Sequence, residues 1–98
     1  TTETFGALSA ISGTVGGLKV RGISDADATG LTIQGIIGGD PIDTTPAITI
    51  EAYKKDTTSV QALAATETVL KIVNFSTDLV TVLGSGNVGI GTTTPVSN

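Results

Sequence analysis

The chain has 98 residues, a net charge of −4, no cysteine, no histidine and only 3% aromatic residues. This length allows one domain. Lack of Cys excludes disulfides and thiolate metal sites, and lack of His removes the commonest general acid/base, the commonest metal ligand and the base of most Ser or Cys nucleophile systems.

The basic residues Lys19, Arg21, Lys54, Lys55 and Lys71 are scattered, so no stripe exists to neutralise nucleic-acid phosphates. No apolar run approaches the roughly 20 residues of a membrane span. Thr1 to Ala10 lacks the basic start of a secretory leader. The apolar 39% is almost all Ala, Val, Ile and Leu. Large rings usually supply much of a small core, so this core is thin, and neighbouring chains would complete it.

In chain order, residues 1–17 are poor in charge and rich in Ala, Ser, Thr and Gly. They are compatible with an extended arm, a short helix over Phe5 to Ile11, or a disordered lead, punctuated by Gly16-Gly17. Leu18-Lys19-Val20-Arg21 alternates apolar with basic, as a strand with one wet face does. Ser24 to Gly30 reads as a turn, and Leu31-Thr32-Ile33-Gln34 alternates again. Gly38-Gly39-Asp40-Pro41 breaks the chain, and Asp43 to Pro46 prolongs the loop. The clearest strand is 47–54: Ile48, Ile50 and Ala52 share one face, and Thr49, Glu51 and Tyr53 the other.

A polar turn is expected over Lys54 to Thr58, while Val60 to Ala65 is ambiguous. Val69 to Phe75, a turn at Ser76-Thr77-Asp78, and Leu79 to Leu83 read as a hairpin. Gly84 to Asn87 turns once more into a short strand at Val88-Gly89-Ile90. The hairpin is apolar on both faces: Leu70 and Ile72 point one way, and Val69, Val73 and Phe75 the other. One solvated face is the norm for a small antiparallel sheet, so the second face is expected to meet another sheet or another chain.

Several patterns that suggest chemistry lack the required context. Gly84-Ser85-Gly86-Asn87-Val88-Gly89 after a strand matches GxGxxG, but the phosphate-binding helix, second strand and ribose-binding acid do not follow. The glycines therefore read as a turn and a close-packing site. Asp25 with Asp27, and Asp40 with Asp43, lack the spacing of a calcium loop and read as turn chemistry. Glu51 and Glu67 are weighed as a carboxylate acid/base couple, and both are expected on the surface. Asn74-Phe75-Ser76 is a formal glycosylation sequon that also reads as a turn start. No catalytic, cofactor-binding or metal-binding residue is assigned.

Gly86-Asn87-Val88-Gly89-Ile90-Gly91-Thr92-Thr93-Thr94-Pro95 resembles the GNVGIGTTxP segment of bacteriophage tail-fibre and tail-spike proteins. The stretch from Ala62 to Leu83 is similar to the strand-turn-strand that leads into it. The resemblance covers about Val60 to Pro95, and more loosely Leu31 to Lys55. In that family an intramolecular chaperone often follows; none follows Asn98, as in an excised piece or a fibre end.

The resemblance implies an all-β, elongated homotrimer, an interwoven β-prism or a small β-sandwich per chain. Its expected parts are an N-terminal arm (1–17), a β-domain (18–83) and a Gly/Thr-rich C-terminal segment (84–98). Val69, Val73, Phe75, Val88, Gly89 and Ile90 are then expected at the interface between copies, with Gly89 permitting close backbone approach. The implied role is structural and non-enzymatic, at the virion surface, among other virion proteins, without nucleic acid or membrane insertion. Alternatives are a trimeric capsid-surface decoration protein, a bacterial adhesin stalk, or a β-module that binds a host glycan or protein. For a host receptor, Tyr53 is the candidate contact.

Overall fold

Val, Ile and Thr are stiff at χ1 and suit a pleated backbone, and the regular elements of the described residues are all strands. The computed structural model describes residues 6–40 and 42–95. In order they are β1 (Gly6–Ser12), β2 (Gly16–Gly22), β3 (Lys54–Asp56), β4 (Ser59–Gln61), β5 (Thr68–Asn74), β6 (Thr77–Leu83) and β7 (Val88–Ile90). The protein is therefore all-β. It divides into two compact units, Thr1–Ile48 and Thr49–Asn98.

In the first unit β1 and β2 form an antiparallel hairpin. Leu8 faces Val20 and Ala10 faces Leu18 across one side, while Ser9 faces Lys19 and Ala7 faces Arg21 across the other. The alternation read at Leu18 to Arg21 is thus a real strand with one apolar and one polar face. The Ser12 hydroxyl accepts the N–H groups of Thr14 (3.2 Å) and Val15 (3.3 Å), closing the loop. The arm or short helix expected over 1–17 is replaced by this hairpin from residue 6 onward. Residues 1–5, including Phe5, lie outside the described residues, as do Pro41 and residues 96–98.

The second unit holds a short hairpin, β3–β4, and a three-stranded antiparallel sheet in the order β5-β6-β7. The polar turn expected over Lys54 to Thr58 narrows to Thr57-Thr58, because Lys54 to Asp56 pair with Ser59 to Gln61. The expected hairpin of Val69 to Leu83 is present, but its turn is Phe75-Ser76, and Thr77 and Asp78 already pair with Asn74 and Val73. In both hairpins the first loop residue has positive φ, 48° at Thr57 and 56° at Phe75, the sign required at that position of a type II′ turn.

Leu31 to Gln34 and residues 47–53 alternate as strands should, yet neither joins a ladder within the chain. A strand needs a hydrogen-bonding neighbour as well as a pattern. The expected divisions at 17/18 and 83/84 fall inside connected structure: the first cuts β2, and the second cuts the turn joining β6 to β7. There Leu83 N–H donates to the Asn87 carbonyl (3.0 Å) and Gly86 N–H to the Leu83 carbonyl (2.9 Å).

Among the described residues no hydrophobic side chain is buried, and Thr81 is the single buried polar one. The chain exposes 8106 Å². Folded proteins of 9.7 kDa expose about 5,100 Å² as one body, and about 6,200 Å² if the mass is split into two equal bodies. Even with the units counted separately, about 1,900 Å² per chain is in excess.

Candidate interaction surface

The register of β5, β6 and β7 sorts their side chains onto two unlike faces. Leu70 lies opposite Val82 and Ile72 opposite Val80; Val82 lies opposite Val88 and Val80 opposite Ile90. One face is therefore aliphatic across all three strands. Leu70, Ile72, Val88 and Ile90 are 37%, 51%, 50% and 76% exposed, and Val80 and Val82 are half-buried.

The other face carries Lys71, Thr81 and Gly89 in one row across the strands. Val73 and Asp78 form the next pair on that face. Lys71 Nζ lies 3.3 Å from Asp78 Oδ2, a part-exposed ion pair of modest value. The chain beyond β7 folds back over the row. A Cβ on Gly89 would lie 2.7 Å from Thr92 Cγ2, 2.8 Å from the Thr92 carbonyl oxygen and 3.2 Å from Pro95 Cβ. The fold-back is tied by Gly91 N–H, which donates to the Leu79 carbonyl (2.8 Å). Thr81, opposite Gly89, is fully buried, and its hydroxyl has no hydrogen-bond partner among the described residues.

A second cluster locks the start of β5 to the β6–β7 turn. Glu67 Oε1 accepts from Lys54 Nζ (2.8 Å) and from Ala64 N–H (2.6 Å). The Lys54 hydrogen bond, followed by the Ala64 N–H, holds the Glu67 carboxyl below its ordinary value of 4.5. Gly84 N–H donates to the Glu67 carbonyl (2.8 Å) and Ser85 N–H to the Ala65 carbonyl (3.1 Å). A Cβ on Gly84 would fall 2.1 Å from the Ala64 carbonyl oxygen, so only glycine permits this approach. Glu67 is thus a structural ligand of a turn, which differs from the acid/base role weighed for it beside Glu51.

The expected interface set is dispersed by this geometry. Val88 and Ile90 lie on the aliphatic face, joined by Leu70, Ile72, Val80 and Val82. Val73 lies on the opposite face beside Asp78, and Val69 occupies a bulge between the pairs Thr68–Leu83 and Leu70–Val82. Phe75 belongs to neither face: it sits in the turn and is 100% exposed. Gly89 admits the chain's own Thr92 and Pro95, in place of the neighbouring backbone expected there. Within β5 the expected alternation holds from Leu70 onward, with Leu70 and Ile72 on one face and Lys71 and Val73 on the other; the bulge at Val69 takes that residue out of it, and the bulge at Leu79 shifts β6 alone.

Tyr53 is exposed just before β3. Asp25 and Asp27 lie in an exposed bend in which the Ser24 hydroxyl donates to the Ala26 carbonyl (3.1 Å) and accepts from its N–H (3.3 Å). Among the described residues there is no group of three or more acidic side chains placed to hold a metal ion, and no helix is long and apolar enough to cross a membrane. No protein-family model, curated protein or solved structure matches this chain.

Proposed function

We propose that this chain is a non-enzymatic structural segment of a homotrimeric β-fibre or spike at the surface of a virion. The observation that carries the reading is the missing core: among the described residues no hydrophobic side chain is buried. Folding must offset a large loss of chain entropy, chiefly by burying apolar surface. A chain that buries so little alone draws that burial from assembly, as obligate oligomers do. Over two chains the excess of about 1,900 Å² each comes to about 3,800 Å², within the range of about 2,000–5,000 Å² that obligate interfaces remove from water over both partners.

The unpaired alternating stretches agree with an interwoven prism better than with a sandwich closed inside one chain. The lack of His and Cys and the GNVGIGTTTP segment support a role in architecture over catalysis. Partners under this reading are two further copies and the neighbouring virion proteins. The exposed rings of Phe75 and Tyr53 favour an added contribution to host attachment, since amphipathic or apolar rings make anchors.

The test is absolute mass by light scattering on a sizing column. A trimer has three times 9.7 kDa, about 29 kDa, and coupled folding and assembly keep that mass on dilution until the chain unfolds. A compact 9.7 kDa species would overturn the reading.

A further inference from the structure

We infer that copies of this chain pack against one another through the aliphatic face of the β5–β6–β7 sheet, formed by Leu70, Ile72, Val80, Val82, Val88 and Ile90, with the opposite face turned away from the contact. The inference rests on the self-assembly reading above and assigns the surface that performs it.

Three observations support the choice of face. The opposite face is already completed within the chain: Thr92 and Pro95 lie over Gly89, Thr81 is sealed beneath them, and Lys71 pairs with Asp78. Among the described residues nothing seals the aliphatic face in the same way, and its residues at the two edge strands remain 37–76% exposed. It also contains no charged side chain and no polar group at any of its six register positions. Contiguous apolar surface of this kind marks an interaction site.

The occupant follows from chemistry and area. An aliphatic face without charge or ring is complementary to itself, which is what symmetric assembly requires. A lipid surface would call for a basic or aromatic rim, whereas this chain has net charge −4 and 3% aromatics. The chain as a whole, this face included, carries about 1,900 Å² more surface than two compact bodies of its mass, the scale on which obligate self-interfaces are built.

Ile72 and Val73 make the test sharp. They are adjacent, 51% and 46% exposed, and differ mainly in the face they occupy. In the full chain, Ile72→Asp is expected to reduce the scattering mass to that of a single chain, while Val73→Lys, which sets a cation opposite Asp78, keeps the wild-type mass. Because Ile72→Asp can fail by unfolding, single-cysteine variants provide a second measurement in a chain that has no Cys of its own. Ile72→Cys or Val88→Cys should give covalent dimers on a denaturing gel after treatment with a short bismaleimide, and Val73→Cys should not. A multimeric wild type whose Val73→Cys couples while Ile72→Cys and Val88→Cys do not would overturn the face assignment and leave the assembly reading standing. A wild type of 9.7 kDa would overturn both.

Discussion

Replacing Phe75 with Gly should stabilise the protein, although it deletes the largest side chain of the β5–β6 turn. The backbone there has φ 56°, a region in which a bulky L-residue brings its Cβ too close to the carbonyl and costs about 1–2 kcal/mol. The ring offsets none of this cost within the chain, because it is 100% exposed. Glycine removes the clash and is the natural residue at the first central position of a II′ turn. It also gains freedom in the unfolded chain, which returns about 0.5–1 kcal/mol of the benefit. The net expectation is a gain of about 0.5–1 kcal/mol, or an increase in Tm of about 2–8 °C for a domain of this size.

The assay is a thermal melt followed by circular dichroism, at matched protein concentration because assembly couples to stability. Phe75→Ala serves as the control: it removes the ring, keeps the strained φ and should leave Tm nearly unchanged. If the ring is instead buried against another copy, both variants lose the burial, and large-to-small losses of Phe run to about 3–5 kcal/mol. A fall in Tm for both would refute the placement of Phe75 outside the interface. A rise for Gly alone would leave an exposed, strained aromatic whose retention needs a role outside folding, as strained positions often have. Loss of host-cell binding in the stabilised Phe75→Gly variant would identify that role.

Thr81→Val should raise the denaturation midpoint, by up to about 1 kcal/mol, because the buried hydroxyl has no partner and a methyl of the same shape removes its desolvation cost; a loss larger than that would show that the hydroxyl is bonded. Gly89→Ala should lower stability by about 1–3 kcal/mol through overpacking, since its Cβ would fall 2.7 Å from Thr92 Cγ2, and limited proteolysis should then cut near Thr92 to Pro95 first. Glu67 has a lowered pKa in the fold, so it contributes stability above its ordinary 4.5, and this is lost as pH falls through the lower folded value. Glu67→Gln should therefore be less stable than wild type at neutral pH, with the gap closing in acid; a gap independent of pH would exclude the carboxylate as its source.

The hairpin of β5 and β6 was legible because its residues are β-branched, apolar and bounded by turn chemistry, and β7 because Gly86-Asn87 and Gly91 bracket three residues. The Leu18 to Arg21 strand was legible from its alternation. Its partner β1 was not, since Ala, Ser and Gly carry weak strand preference and the pairing is held by register with β2. Faces were legible only between bulges. Within β5 the split of Leu70 and Ile72 from Val73 follows from the alternation alone, whereas the face that Val88 and Ile90 share with Leu70 and Ile72 depends on register across β6, which no count along one strand supplies. The role of Glu67 was hidden for a different reason. Its partners are the backbone N–H of Ala64 and the side chain of Lys54, and a loop carboxylate reads the same in sequence whether it is solvated or ties down a turn.

The stretches at Leu31 to Gln34 and 47–53 join sequence, fold and assembly in one argument. Their alternation is as regular as that of β5, yet only β5 finds a ladder in the single chain. Backbone N–H and C=O groups of an extended segment must bond to water or to another strand, and an apolar extended segment left open is an edge that invites pairing. Ile33, Ile48 and Ile50 are exposed there, so solvent is a poor environment for the side chains even where it serves the backbone. The same deficit appears on the aliphatic face of the second unit, where the sheet is paired but Leu70, Ile72, Val88 and Ile90 remain exposed. One segment lacks a ladder and the other lacks a cover, and a further copy of the chain carries what each needs: open strand edges and a matching aliphatic face. Under the assembly proposed above, pattern without pairing is what a chain completed by further copies would show, beside small sheets in which no aliphatic side chain is buried among the described residues.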